Sequence, residues 1–345
     1  MARFLGLDIG GANLKISDGE TRAQSVPFHL WKTPERLTET LQSLLEEFPA
    51  VEGIAVTMTG ELADCFETKA KGVDFILAAV ERAAGTMPIS VWQTGAEFVS
   101  PDVAREIPLL VAAANWHALA TFAGRMVPGG LSLLIDLGST TTDIIPLFAG
   151  VPIPLGLTDC ERLRSGELVY IGVARTPLCA VSQTVPCRGK MCPLAAELFA
   201  TMLDVHLILG DVPEDASNLD TANNRPATKA GAHDRLARMI CCDRNEFTWD
   251  DALVAAEFLA TEQRRRIAEA VGRVLAEQTA PLEHVLISGS GRFVIERLCR
   301  ELPFLKSAKQ IDLGSIFQES IAQAACAFAV ARLAGERVVL DECTE

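Results

Sequence analysis

Two stretches of this chain share one order of residues: an apolar run, an aspartate, one apolar residue, a glycine, a turn of small residues and a second apolar run. LGLDIGGANLKI carries the pattern at Asp8 and LLIDLGSTTTDII carries it at Asp136. An apolar run that ends in an acidic residue and re-forms after so short a turn reads as a β-hairpin. Its recurrence points to an internal duplication, with each copy opening its own lobe. The chain of 345 residues is also longer than one hydrophobic core supports, which favours two packed lobes with a cleft between them.

The segments between and after the hairpins alternate in type. Pro34 to Phe48 has apolar residues at Leu37, Leu41, Leu44, Leu45 and Phe48, the spacing of an amphipathic helix, and Gly53 to Met58 is an apolar strand. Phe75 to Ala84 reads as helix, Ile89 to Trp92 as strand, Pro101 to Glu106 as a short connector and Asn115 to Phe122 as helix. Strands alternating with helices predict an α/β fold with largely parallel sheets. The second hairpin follows, and the lobe boundary is expected near Val127 to Gly130, giving lobes 1–127 and 128–345. Residues 160–243 are less periodic and richer in Pro, Asn, Asp and Cys, which predicts an elaboration on the second lobe. Thr248 to Thr279 reads as a long helix, His284 to Ser288 as a strand running into the turn Gly289-Ser290-Gly291, and Ser315 to Leu333 as a last helix.

Small residues in a turn let backbone N–H groups converge on phosphate oxygens. Gly10 and Gly11 form such a turn in the first copy, and Gly138, Ser139 and Thr140 form it in the second. A carboxylate beside a phosphate is repelled by it, so Asp8 and Asp136 make chemical sense as ligands of Mg2+ or Mn2+ bridging to the phosphate. Gly289 and Gly291, after a third strand, allow another close approach of backbone to ligand. Asn13 and Lys15 complete the expected phosphate-binding set. Lys15 reads equally as a charge neutraliser or as a solvated strand residue. Any one such turn is a weak signal; three of them in order within an α/β pattern are a stronger one.

The formal charge is -14, and the one basic run, Arg264 to Arg266, reads as a solvated turn of helix, so nucleic acid is not an expected partner. With no apolar run long enough for a signal peptide or a membrane span, the expectation is a soluble cytoplasmic protein. Its ten cysteines are then expected as free thiols. Cys179, Cys187 and Cys192 lie close in sequence, but at a looser spacing than good zinc knuckles.

With LGLDIGGANLK, LIDLGSTTTD and LISGSG, the chain resembles the actin, sugar-kinase and Hsp70 ATPase superfamily, and within it the hydantoinase-A-like branch. That resemblance implies a two-lobed actin-like ATPase fold of duplicated ribonuclease-H-like lobes around a central cleft. The segments TGELADCFETKAKGV, AAANWHALA, DLGSTTTDIIPL, RLRSGELVYIGVARTPLCA and RPATKAGAHDRLARMICCD look like proteins linked to tetrahydromethanopterin-dependent C1 transfer. The methanogen members of that family imply methanofuran biosynthesis: a furfuryl diphosphate loses diphosphate while the phenol of γ-glutamyltyramine is alkylated. The resemblance thus implies a transferase with Asp8 and Asp136 on the metal; Lys69, in a polar loop after a strand, is the candidate for a second diphosphate contact, and under that reading His117 is a base for the phenol or a contact for an amine-bearing substrate, its alternative being a satisfied structural histidine. Arg175 and Arg225 are further candidates for binding phosphate or carboxylate. Two other readings stay open: an ATP-dependent kinase or ATPase of the same fold, and a non-catalytic binding protein that keeps the turns as structure.

Overall fold

In the computed structural model, which describes residues 3–342, β1 (Phe4–Ile9) and β2 (Asn13–Ser17) pair antiparallel with Asp8 opposite Lys15. β3 (Ala23–Pro27), which the pattern did not reveal, extends the hairpin, and β4 (Gly53–Met58), β5 (Ile89–Gln93) and β6 (Glu97–Val99) complete a six-stranded sheet ordered β3-β2-β1-β4-β5-β6. β1, β4 and β5 run parallel.

The second hairpin repeats this plan. β7 (Leu131–Leu137) and β8 (Thr142–Phe148) pair antiparallel with Asp136 opposite Asp143, and β9 (Val151–Pro152) and β10 (Leu168–Val169) flank β8. The small hairpin β11 (Thr184–Cys187) with β12 (Lys190–Pro193) stands apart. β13 (Leu282–Ser288) and β14 (Lys309–Asp312) then run parallel to β7, giving the order β10-β8-β7-β13-β14. Two sheets with the same hairpin-plus-parallel order establish the duplicated, two-lobed actin-like architecture.

Two helices lie between the sheets. The helix Asn115–Gly124 packs Trp116, Leu119 and Ala123 toward Leu134, Ile145 and Leu286 of the second sheet, while Ala118 joins Phe4, Ala55 and Trp92 of the first. A helix buried on both sides has to be apolar all round, which is how AAANWHALA reads. The final helix Ala325–Glu342 shares the layer, with Cys326 and Ala329 toward the second sheet and Val330 and Leu333 toward the first. It crosses β1 so closely that a Cβ on Gly6 would come 1.9 Å from the Ala327 carbonyl oxygen. The first lobe therefore draws on chain from both ends, whereas the expected division at 127/128 assigns the final helix to the second lobe by sequence order. The outer faces are covered by the helices Leu37–Glu46 and Lys69–Ala84 on the first sheet and by Trp249–Ala276 and Arg292–Glu301 on the second.

Several expectations change in detail. The second helix begins at Lys69 rather than Phe75, because the Thr68 side chain caps it by accepting from Lys71 N–H; Lys-Ala-Lys-Gly carries no apolar periodicity to reveal that turn. Pro101–Glu106 is itself a short helix, with Ser100 as cap and Pro101 in the first turn. The last helix is broken: Leu313–Ile316 and Glu319–Gln323 are separate turns, and the continuous helix starts only at Ala325. The extended residues Phe317 and Gln318 let the chain leave the second sheet before packing on the first. Within residues 160–243 the helices Met202–Leu209 and Lys229–Arg238 pack on the start of the long helix around a core of their own that includes Val205, Leu236, Phe247 and Leu259. No helix among the described residues is long and apolar enough to cross a membrane.

Candidate active site

Each hairpin turn is closed by the same bond: Gly10 N–H donates to the Asn13 carbonyl at 3.0 Å, and Gly138 N–H donates to the Thr141 carbonyl at 2.9 Å. Each turn also anchors a loop from its own lobe. Phe28 and Leu30 donate to the Ala12 and Gly11 carbonyls, setting Trp31 beside the first turn; Ala174 and Arg175 donate to the Ser139 carbonyl, setting Arg175 beside the second. The two loops meet, with the Arg175 guanidinium 5.3 Å from the Trp31 ring centroid. Asn13 closes the first turn through its backbone carbonyl, and Arg175 lies where the two loops meet. Arg225 lies in the elaboration, where its backbone N–H and carbonyl bond the Thr221 hydroxyl, away from both turns.

Asp8 is 2% exposed and flanked in register by Lys15 on β2 and Thr57 on β4. Its Oδ2 takes the Lys15 ammonium at 3.2 Å, while Oδ1 and the neighbouring Thr57 hydroxyl are buried without a partner. Lys15 is not a solvated strand residue but half-buried against Asp8, whose charge raises its pKa against the cost of burial, with Asp136 adding to the effect. Asp136 is flanked by Asp143 and Ser288. Burial pushes its carboxyl up to about 6, Asp143 and Asp8 push the same way, and Ser288 and Lys15 oppose them. The two hairpin aspartates therefore share one electrostatic environment. Gly289 and Gly291 serve packing: Gly289 has φ +90, and a Cβ there would come 2.2 Å from the Leu137 carbonyl oxygen, while one on Gly291 would strike the Leu137 side chain at 2.4 Å. They hold the third loop against β7, whereas Gly11 faces open space.

A second charged group spans the lobes. Lys69, at the start of its helix, lies 3.7 Å from Asp159 of the helix Asp159–Ser165 in the other lobe. Arg162 of that helix is buried, pairs with Asp143 and Asp159, and stacks 3.9 Å over the Trp116 ring. Thr59 and Gly60 donate to the Ile9 carbonyl, which ties the following Glu61 to the first turn. Glu61 is 1% exposed, its Oε2 has no partner, and burial raises its carboxyl to about 7 against the pull of Lys69. His117 is 4% exposed and boxed by Trp92 and Trp116, and burial with the Arg162 charge lowers its pKa to about 4. The structure keeps it in the wall, away from the turns. Cys179, Cys187 and Cys192 lie in the elaboration as free thiols, and among the described residues no three His, Cys, Asp or Glu side chains are grouped to hold a metal ion.

The hydantoinase/oxoprolinase family model matches residues 52–336. The chain belongs to that family. Within this hydantoinase/oxoprolinase group, a curated relative from Methanocaldococcus jannaschii is 32% identical over 333 residues, 96% of this chain and 97% of its own; it is named (4-{4-[2-(gamma-L-glutamylamino)ethyl]phenoxymethyl}furan-2-yl)methanamine synthase. A relative of the same name from Methanococcus vannielii is 29% identical over 208 residues, 58% of this chain and 89% of its own. Solved structures similar to this family member include an archaeal actin homolog, 12% identical, covering 98% of this chain and 100% of its own with TM-score 0.44. Another is component A of (R)-2-hydroxyglutaryl-CoA dehydratase from Acidaminococcus fermentans, 11% identical, covering 96% and 97% with TM-score 0.45.

Three features of the site carried signals of different strength. Asp143 stood in the repeated motif at the position Lys15 occupies in the first copy. Glu61 and Lys69 stood in a polar stretch after a strand, as site-lining loops do. Trp31 and Arg162 had no sequence signal, since each gains its place only through a contact between distant segments.

Proposed function

We propose that this protein joins an aminomethylfurfuryl diphosphate to the phenol of γ-glutamyltyramine, or a close analogue, forming the phenoxymethylfuran ether and releasing diphosphate, as a cytoplasmic enzyme acting on small molecules. The observation that carries the reading is the relative at 32% identity over nearly both whole chains, whose name describes that ether. The site supports it through paired turns of small residues and a lysine whose charge is felt by both acidic strand ends.

The turns Gly10–Gly11 and Gly138–Thr140 grip the diphosphate from the two lobes, Lys15 offsets its charge, and Arg175, held by Ser139, adds a guanidinium. Lys69 stands at the first lobe's helix start, where an anion is favoured as well. What favours a divalent cation is charge rather than a ready-made ligand cluster: Asp8 leaves a buried carboxylate oxygen unpartnered, and Asp136 and Asp143 raise the negative charge around it. Bound between Asp8 and Asp136, Mg2+ or Mn2+ would supply charge neutralisation for a departing diphosphate. The furan ring stabilises positive charge on the methylene carbon as the C–O bond breaks, so holding the leaving group and excluding water are the main tasks left to the protein.

The test is turnover of synthetic aminomethylfurfuryl diphosphate with γ-glutamyltyramine and Mg2+, following ether and diphosphate by mass, with a parallel ATP assay. Ether formation abolished in Asp8→Ala supports the reading. ADP production with no ether would replace it with a phosphotransferase, and inactivity in both assays would overturn the proposed substrates.

A further inference from the structure

We propose that Glu61 is the base that takes the phenol proton as the ether forms; the inference rests on the transferase reading above. The acceptor has to meet the furfuryl methylene on the side away from diphosphate, so its base should stand beside the phosphate grip and outside it. Glu61 does: Gly60 N–H is fixed to the Ile9 carbonyl at the root of the first turn, and Glu61 follows it, facing Lys69 of its own lobe and Asp159 of the other.

The other carboxylates of the cleft are committed. Asp8 holds Lys15, Asp143 and Asp159 hold Arg162, and Asp136 lies at the second turn against Ser288 and Asp143. His117 lies between Trp92 and Trp116 with its Nδ1 already 3.4 Å from the Thr121 hydroxyl. Glu61 alone in this group combines near-complete burial, an oxygen with no partner and no closed ion pair, because Lys69 lies within ion-pair distance of Asp159 instead. Such an oxygen costs stability unless something fills it. An incoming phenol O–H does so, donating to Oε2.

In the step itself the phenol oxygen forms its bond to the methylene carbon, the carbon–oxygen bond to diphosphate breaks with its electron pair leaving on diphosphate, and the phenol proton moves to Oε2. It later passes to solvent. Burial holds the Glu61 carboxyl near 7, and the charged groups facing it are Lys69, which lowers it, and Asp159, which raises it. A base of that strength serves a phenol of pKa about 10 at neutral pH.

The experiment compares wild-type protein with Glu61→Gln and Glu61→Asp across pH 5.5–9, using γ-glutamyltyramine and ring-fluorinated acceptors whose phenols are more acidic. Thermal midpoints of all three report folding. The expected result is that Glu61→Gln loses about 10²- to 10⁴-fold in kcat with KM for the donor little changed, and loses the acidic limb of the pH profile. The loss should shrink at least about tenfold on the most acidic phenol, and Glu61→Asp should keep part of the rate and a displaced limb. Wild-type ether formation with Glu61→Gln within a few-fold, or an equal loss on every phenol, overturns the assignment and leaves the transferase reading intact. No ether from wild type sinks that reading, and this one with it.

Discussion

Lys15 Nζ lies 3.2 Å from Asp8 Oδ2 across the first hairpin, and the position equivalent to Lys15 in the second hairpin is Asp143, which faces Asp136. The duplication has diverged at one register position into an ion pair on one side and a carboxylate pair on the other. In the first lobe Lys15 neutralises Asp8, while in the second the Asp143 carboxylate is paired with Arg162.

Removing Lys15 leaves Asp8 as an uncompensated buried charge, so that change should cost more than the pair is worth, whereas Lys15 without Asp8 is only half-buried. Lys15→Met is expected to lower the thermal midpoint and to reduce kcat/KM for the diphosphate donor about 100-fold. In a cycle with Asp8→Asn, the double variant should recover about 1 to 3 kcal/mol of the summed stability losses. Additive losses would show that the pair makes no contribution in solution.

The glycines of the three turns should separate by assay. A Cβ at Gly11 meets nothing, and the residue is not among those with positive φ, so Gly11→Ala should leave stability within about 1 kcal/mol while weakening diphosphate binding. Gly289→Ala meets the Leu137 carbonyl and a left-handed backbone, and should destabilise by at least about 2 kcal/mol. Calorimetric unfolding and diphosphate titration of both variants check the pair. A destabilised Gly11→Ala with unchanged binding would contradict the role given to the first turn.

Arg175 over Trp31 links the loops that rest on the two turns. Arg175→Ala should raise KM for the donor about tenfold with a smaller change in kcat, and Trp31→Ala about threefold, reflecting a lost charge and a lost cation–π contact. Steady-state kinetics at two salt concentrations measure both, the arginine effect being the more salt-sensitive. An equal effect on kcat and none on KM would place Arg175 outside donor binding.

His117 should matter for folding more than for turnover. Its folded pKa of about 4 lies below the value near 6.5 expected of the unfolded chain, so the unfolded state binds the proton more readily. The neutral imidazole therefore contributes stability that is fully present above pH about 6.5 and is lost as pH falls toward 4, up to about 3 kcal/mol. His117→Gln should be destabilised at pH 7.5, with the gap to wild type narrowing toward pH 4, and should retain kcat within a few-fold. Chemical denaturation across that pH range tests it; a collapse of kcat at unchanged stability would return His117 to the catalytic role implied by the resemblance.

The hairpins, their turns and the alternation of helix and strand were legible because each is local: a period, a glycine at a turn, an acidic residue closing a strand. Asp8, Asp136 and the glycines of the first two turns could be named from the motif alone, and the strand Gly53–Met58 has the bounds read from the sequence. The path of the final helix was not legible. Its apolar residues serve two sheets at once, so no single period marks where Phe317 and Gln318 must extend.

Tertiary structure also decided which polar residues meet. His117 and Glu61 look alike in sequence, each a titratable residue in an apolar neighbourhood. Packing set the imidazole between two indole rings and left the carboxylate with a buried, unpartnered oxygen beside Lys69. Trp31 gained its place only when Arg175, more than a hundred residues away, folded beside it, and Arg162 only when its helix met Asp143 and Trp116. Sequence by itself determined the duplicated scaffold, since backbone geometry follows from neighbouring residues; the cleft's charge balance depended on long-range contacts, which only the folded chain sets.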